Sequence, residues 1–288
     1  MRKRMAILIL AGCIVSLLCF SLPGAQQDLP KENHVFPRVE IKDTELRTLE
    51  SKHVGEEYKI NIFFPKDYKK ENKRYPVVYV LDAEYNFGCV AYIARRLIKN
   101  GDISKILLVG IAYDTEHEDF YDKRFRDSTP ESTIHGRNSG GAERFTSFLE
   151  KELIPFIDQN FRTVPGDRTI VGHSITGFYC CYVLFRHPHL FDRYIIVSPS
   201  LWFSNSVALE YEEAFASKNR DMFASVFLSV GEDESQRIRE HSVNLSKTIS
   251  KREYPHLRFQ FSLVEGENHR SLFPFAFSRG LRFVFSDI

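Results

Sequence analysis

Short apolar runs recur along the chain, separated for the most part by segments with helical spacing. Residues 77–81 and 106–112 are apolar almost throughout, as strands covered on both faces of a sheet are. Residues 169–172, 194–197, 226–230 and 257–263 read as further strands. Residues 84–99 follow helical spacing and stop at Asn100-Gly101, a sequence that ends helices. Residues 141–160 place Phe145, Phe148, Leu149, Leu153 and Phe156 on one helical side. Residues 175–186, followed by Pro188, and residues 272–285 read as two more helices. Near the start, residues 45–52 and 58–64 read as two strands flanking Gly55-Glu56-Glu57, a pattern that predicts an antiparallel hairpin at a sheet edge. The alternation predicts an α/β fold with a mostly parallel central sheet, that hairpin at its N-terminal side, and helices on both faces.

Two stretches break the pattern. Residues 113–140 are rich in charged residues, Ser, Thr and Gly and show no period. A non-periodic stretch of that length is expected to be a functional loop over a pocket. At the N-terminus a basic start, Met1-Arg2-Lys3-Arg4, precedes a nearly unbroken apolar run at 6–22, then Pro23-Gly24-Ala25. This predicts an export signal at 1–25, a polar linker at 26–40 and one domain at 41–288. The run is nearly long enough to remain as a membrane anchor, and Leu10-Ala11-Gly12-Cys13 is similar to a lipidation motif. Each reading places the domain outside the cytoplasm, secreted or attached to the envelope through its N-terminus.

Composition narrows the classes further. The 288 residues carry 39 Lys plus Arg against 38 Asp plus Glu. With net charge +1 and no basic run beyond the first residues, nothing supports nucleic-acid binding. Beyond the export segment only Cys89, Cys180 and Cys181 remain, too few for a disulfide framework and without metal-ligand spacing.

The sharpest chemical signal is Gly172-His173-Ser174-Ile175-Thr176-Gly177, where an apolar strand runs into a tight turn and a helix follows. A nucleophile elbow needs that context. The second glycine of the usual pattern would fall at Thr176; Gly177 comes one place later. A serine nucleophile needs a base and an acid to orient it, later in the chain at successive strand ends. Residues 226–230 run into Gly231-Glu232-Asp233-Glu234, and residues 257–263 are followed by Glu265-Gly266-Glu267-Asn268-His269. His269 is the base by position, and the acid is one of Glu232, Asp233 and Glu234. The backbone amide of Ile175 and an amide of the loop after 77–81 would form the oxyanion hole, Glu84 being favoured with Tyr85 beside it.

These residues resemble the α/β-hydrolase family that includes esterase D, feruloyl esterases and the hydrolases of ferric enterobactin and related siderophores. The resemblance spans roughly 45–285. It rests on Tyr75-Pro76 through Leu81-Asp82-Ala83-Glu84, on Arg124-Phe125-Arg126-Asp127-Ser128-Thr129-Pro130, on Gly140-Gly141-Ala142-Glu143-Arg144-Phe145, on Ser198-Pro199-Ser200-Leu201-Trp202 and on Gly266-Glu267-Asn268-His269. It is nearest the enterobactin and bacillibactin esterase branch. The resemblance implies an α/β-hydrolase fold and a small-molecule ester as substrate, with no metal or other cofactor. It also aligns the acid with Glu234, although some siderophore esterases work with a Ser–His dyad. Arg124 and Arg126 would face an anionic ligand, or else pair with nearby carboxylates, and Tyr85 and Trp202 would stack on aryl rings. A non-catalytic binding protein and an acyltransferase are the alternatives on this fold.

Overall fold

The computed structural model describes residues 40–113, 115, 117–131 and 139–286. The expected export segment and all of the expected linker except Glu40 lie outside the described residues, as do 114, 116 and 132–138 of the polar stretch. Residues Ile41–Ile288 form one compact unit.

Eight strands build one sheet in the order β1-β2-β4-β3-β5-β6-β7-β8. β1 (Thr44–Ser51) and β2 (Glu56–Phe63) are the expected antiparallel hairpin. Gly55 turns it with φ of 76° and donates its N–H to Ser51 O at 2.8 Å. β2 also runs antiparallel to β4 (Leu107–Tyr113). Every neighbouring pair from β4 through β3 (Tyr75–Val80), β5 (Thr163–His173), β6 (Arg193–Val197) and β7 (Ala224–Gly231) to β8 (Leu257–Val264) is parallel. This is the α/β-hydrolase arrangement.

Strand alternation divides the core. Along β3, Val78 and Val80 face α1 (Ala83–Asn100) and α8 (Leu272–Phe285). Val77 and Tyr79 face the opposite way. They join the core built with α3 (Ala142–Phe148), α4 (Ile154–Asn160), α5 (Ile175–Arg186), α6 (Val207–Ala216) and α7 (Gln236–Arg252). α1 ends where Asn100-Gly101 predicts, with Gly101 left-handed at φ 81°. Residues 142–160 are helical as expected but pass through a π-helical turn at Leu149–Leu153.

The polar stretch differs from expectation. His117–Ser128 within it is a helix, α2, rather than loop. Its inward face carries charge as well as the buried ring of Phe120, which disguises the helical period. Arg126 Nε lies 2.7 Å from Asp127 Oδ1, and Arg126 Nη1 lies 2.8 Å from Glu56 Oε2. Tyr58, in β2, donates its hydroxyl to Asp127 Oδ2 at 2.5 Å. Paired inside, these groups satisfy burial as apolar side chains would, but they leave no hydropathy signal.

Candidate active site

The C-terminal ends of the parallel strands, where open α/β sheets place their sites, bring the candidate residues together. Ser174 follows β5 and precedes α5 with φ 62° and ψ −119°. A non-glycine residue so placed carries strain of order ~1–3 kcal/mol and must be held there. Ser174 N donates to Val197 O at 3.0 Å, and Ser174 O accepts from Phe178 N at 3.0 Å and Ser200 N at 2.9 Å. Gly172 is required by the turn, because a Cβ there would lie 2.3 Å from Thr176 O. Gly177 meets a different need: a Cβ there would lie 2.9 Å from Val197 O, so it lets α5 approach β6. The two glycines therefore do separate jobs, and position 176 tolerates a side chain.

The loops that carry the candidate acid and base lock onto each other. Gly231 ends β7 so close to the loop after β8 that a Cβ would lie 2.1 Å from Glu267 O. Glu232 N donates to Val264 O at 2.8 Å and Asp233 N to Glu267 O at 3.0 Å. Glu232 and Asp233 point to solvent, while Glu234 is buried. Its Oε2 lies 2.8 Å from His269 Nδ1. Its Oε1 accepts from Ser198 Oγ and from Gly231 N, the latter at 3.1 Å. Burial would raise the Glu234 carboxyl, but the bonds from His269, Ser198 and Gly231 hold it below the ordinary carboxylate value. A carboxylate on Nδ1 fixes the imidazole with its proton on that nitrogen and leaves Nε2 as an acceptor.

His269 is aimed by its own loop. Asn268 Oδ1 accepts the amides of Arg270 and Ser271 at 2.9 and 3.3 Å, which ties the loop to the start of α8. The His269 ring packs on His173, with centroids 4.6 Å apart, next to Ser174 in sequence. Burial, and then the neighbouring His269, push His173 down to about 4 and keep it neutral. Ser174 Oγ lies 3.3 Å from Ser200 Oγ, so the nucleophile candidate has a hydroxyl partner on the loop after β6.

Ile175 is the first residue of α5 and Glu84 the second of α1, so their amides belong to first helical turns, whose N–H groups have no intrahelical acceptor. Such amides can hold a developing negative charge. The Glu84 carboxyl turns back onto Tyr113 N, and burial pushes it up to about 7. Tyr85 is 58% exposed beside this amide and meets Phe120 edge-on at 5.0 Å. Trp202 is half-buried, two residues beyond Ser200, with the Arg237 guanidinium 4.7 Å over its ring.

The two arginines sit otherwise than an anion site requires. Arg124 grips Asp82 with Nε–Oδ1 and Nη2–Oδ2 both at 2.7 Å, and Arg126 is held by Asp127 and Glu56. Arg126 is buried and Arg124 partly buried, each against carboxylates, which is the paired reading rather than the ligand-facing one. Among the described residues, the cation over the Trp202 ring is Arg237, which carries no motif. Ser198 and Ser200 stand in a segment visible from sequence, but their contacts to Glu234 and Ser174 exist only once β6 lies between β5 and β7.

A family model described as "Putative esterase" matches residues 51–277. The chain belongs to this esterase family. It is a carboxylic ester hydrolase, and several of its relatives are named for siderophores. It is 32% identical over 263 residues to the ferri-bacillibactin esterase BesA of Bacillus subtilis, covering 85% of this chain and 90% of that protein. It is 27% identical over 265 residues to a siderophore triacetylfusarinine C esterase of Aspergillus fumigatus, covering 81% and 90%. Among solved structures, the BES protein from Bacillus cereus superposes with a TM-score of 0.80 at 32% identity, covering 88% of this chain and 98% of that one.

Proposed function

We propose that the protein hydrolyses ester bonds of an iron-chelating siderophore by an acyl-enzyme mechanism with Ser174 as nucleophile, His269 as base and Glu234 as acid. The observation that carries this reading is the 2.8 Å bond between buried Glu234 and His269 Nδ1, with that imidazole packed beside the strained Ser174 turn. Nε2 of His269 takes the Ser174 hydroxyl proton as Oγ attacks the ester carbonyl carbon. The carbonyl oxygen becomes an oxyanion held by the Ile175 and Glu84 amides. The C–O bond to the alcohol breaks, and His269 returns the proton to the departing alkoxide. Water, deprotonated by the same imidazole, then attacks the acyl-enzyme and releases the acid and free Ser174. No resident metal enters these steps; any iron belongs to the substrate.

The rim supports an anionic, aryl-bearing substrate. Exposed Tyr85 and half-buried Trp202 offer ring faces, and Arg237 lies over the second. The names of the relatives point to the same class. Purified protein should release products from a ferric tri-catecholate ester, and Ser174→Ala should release none. Full activity in Ser174→Ala would overturn the mechanism; cleavage of simple acetyl esters alone would overturn the substrate class. On this reading the basic start and apolar run at 1–25 act as an export segment, so that the reaction takes place outside the cytoplasm. The mass of the mature N-terminus distinguishes cleavage, lipid on Cys13 and a retained anchor.

A further inference from the structure

The glycine pattern of the elbow breaks at Thr176, and the side chain standing there makes contacts a glycine could not. Its hydroxyl accepts the His173 amide at 2.9 Å and lies 2.8 Å from both Asp82 Oδ2 and the His173 carbonyl. That carbonyl also accepts from Arg124 Nη2 at 3.0 Å. The single hydroxyl proton is therefore best directed at Asp82, where the bond is charge-assisted. Asp82 is buried at 5% exposure and stands two residues past β3 with φ 56° and ψ 43°. Its carbonyl accepts from Tyr85 N and Asn86 N, both at 3.2 Å, so it caps α1 at the turn that holds the Glu84 amide. Arg124, from α2, closes the set with its two 2.7 Å bonds.

Three separate segments thus meet on one carboxylate: the loop after β3, the elbow after β5, and α2. Stability alone does not explain the arrangement, because apolar residues commonly do as well as a buried ion pair. What such a network does supply is fixed geometry, since each partner can bond in only one arrangement. We propose that Thr176, Asp82 and Arg124 are positioning residues that set the distance between the Ile175 and Glu84 amides, and so the shape of the oxyanion hole. Thr176 links the nucleophile's turn directly to the loop that carries the second amide. This inference rests on the assignment of Ser174 as nucleophile and of those two amides as oxyanion donors.

Thr176→Val keeps the side-chain shape and removes the hydroxyl. Loss of a whole oxyanion donor costs about 10²–10³ in kcat, so a displaced one should cost about 10- to 100-fold. KM for p-nitrophenyl acetate should hardly move, because the hole engages the transition state and not the bound ester. Affinity for an arylboronic acid, which binds as a tetrahedral adduct, should fall in step with kcat. Thr176→Ser restores the hydroxyl and should recover most of the loss. Far-UV circular dichroism and Tm establish that each variant is folded. Arg124→Lys, which keeps the charge but loses the fork, gives a second test if Thr176→Val does not fold, and should likewise lower kcat at constant KM. A folded Thr176→Val with wild-type kcat, or a Ser variant as impaired as Val, would overturn the proposal. A fully active Ser174→Ala in the same assay would instead overturn the underlying site assignment.

Discussion

Glu234→Gln changes one atom and no shape. In the native site Oε1 takes hydrogen bonds from Ser198 Oγ and Gly231 N, and Oε2 faces His269 Nδ1 at 2.8 Å. The two fixed donors keep the glutamine carbonyl oxygen, so the amide NH₂ turns toward Nδ1. His269 must then accept at Nδ1 and carry its proton on Nε2, the atom that should receive the Ser174 proton. A tautomer inverted in this way is worth about 10⁴ in kcat. Glu234→Ala removes a charged hydrogen bond worth about 1.5–3 kcal/mol, or roughly 10- to 150-fold in rate, without forcing the wrong tautomer. Glutamine is therefore expected to be the worse replacement, although alanine should lower Tm more by leaving Ser198 and Gly231 N without their acceptor. The assay is kcat for p-nitrophenyl acetate near neutral pH, read beside Tm. If both variants match wild type, the Ser–His pair suffices and Glu234 does not assist. If alanine is the slower enzyme, the tautomer reasoning is wrong.

Other outcomes follow from the same contacts. Gly231→Ala forces a Cβ to within 2.1 Å of Glu267 O. Overpacking of about 1–3 kcal/mol should lower Tm by about 2–4 °C per kcal/mol, and activity should fall with it as the acid and base loops part; an unchanged Tm would contradict the close approach. Trp202→Ala and Arg237→Ala should each raise KM for a ferric tri-catecholate ester by about 2- to 30-fold and leave hydrolysis of p-nitrophenyl acetate unaffected; equal effects on both substrates would remove the rim from substrate choice. The Glu84 carboxyl titrates at about 7 in the fold against an ordinary 4.5. A carboxyl raised in this way favours the folded state most below its ordinary value and loses that contribution as pH rises through about 7. Glu84→Gln should flatten the slope of Tm over that window, and an unchanged slope would contradict the shift.

The apolar runs located the strands because parallel strands are buried on both faces, and α5 and α8 begin and end where residues 175–186 and 272–285 predict. The order of the strands placed Ser174, the acidic cluster at 232–234 and His269 at successive strand ends before any coordinate. Three kinds of feature escaped. α2 was illegible because Arg124, Arg126 and Asp127 face inward, and paired charges do not register as buried in a hydropathy pattern. β5 starts at Thr163 rather than 169, because its first half contains Pro165 and Gly166, which read as a turn. The contacts of Ser198, Ser200, Thr176 and Asp82 join residues from different strand ends, and only the sheet order brings them together. Among Glu232, Asp233 and Glu234, spacing alone left the choice open and the family resemblance pointed to Glu234, the one of the three that is buried and bonded to His269.

The claim on which the rest depends is that Ser174 is the nucleophile. Intact-mass measurement after exposure to a fluorophosphonate tests it most directly, with peptide mapping of the adduct. One adduct per chain on Ser174, its absence in Ser174→Ala, and loss of esterase activity in step with labelling are the results expected. An adduct on another residue, or labelling that leaves hydrolysis intact, would contradict the account.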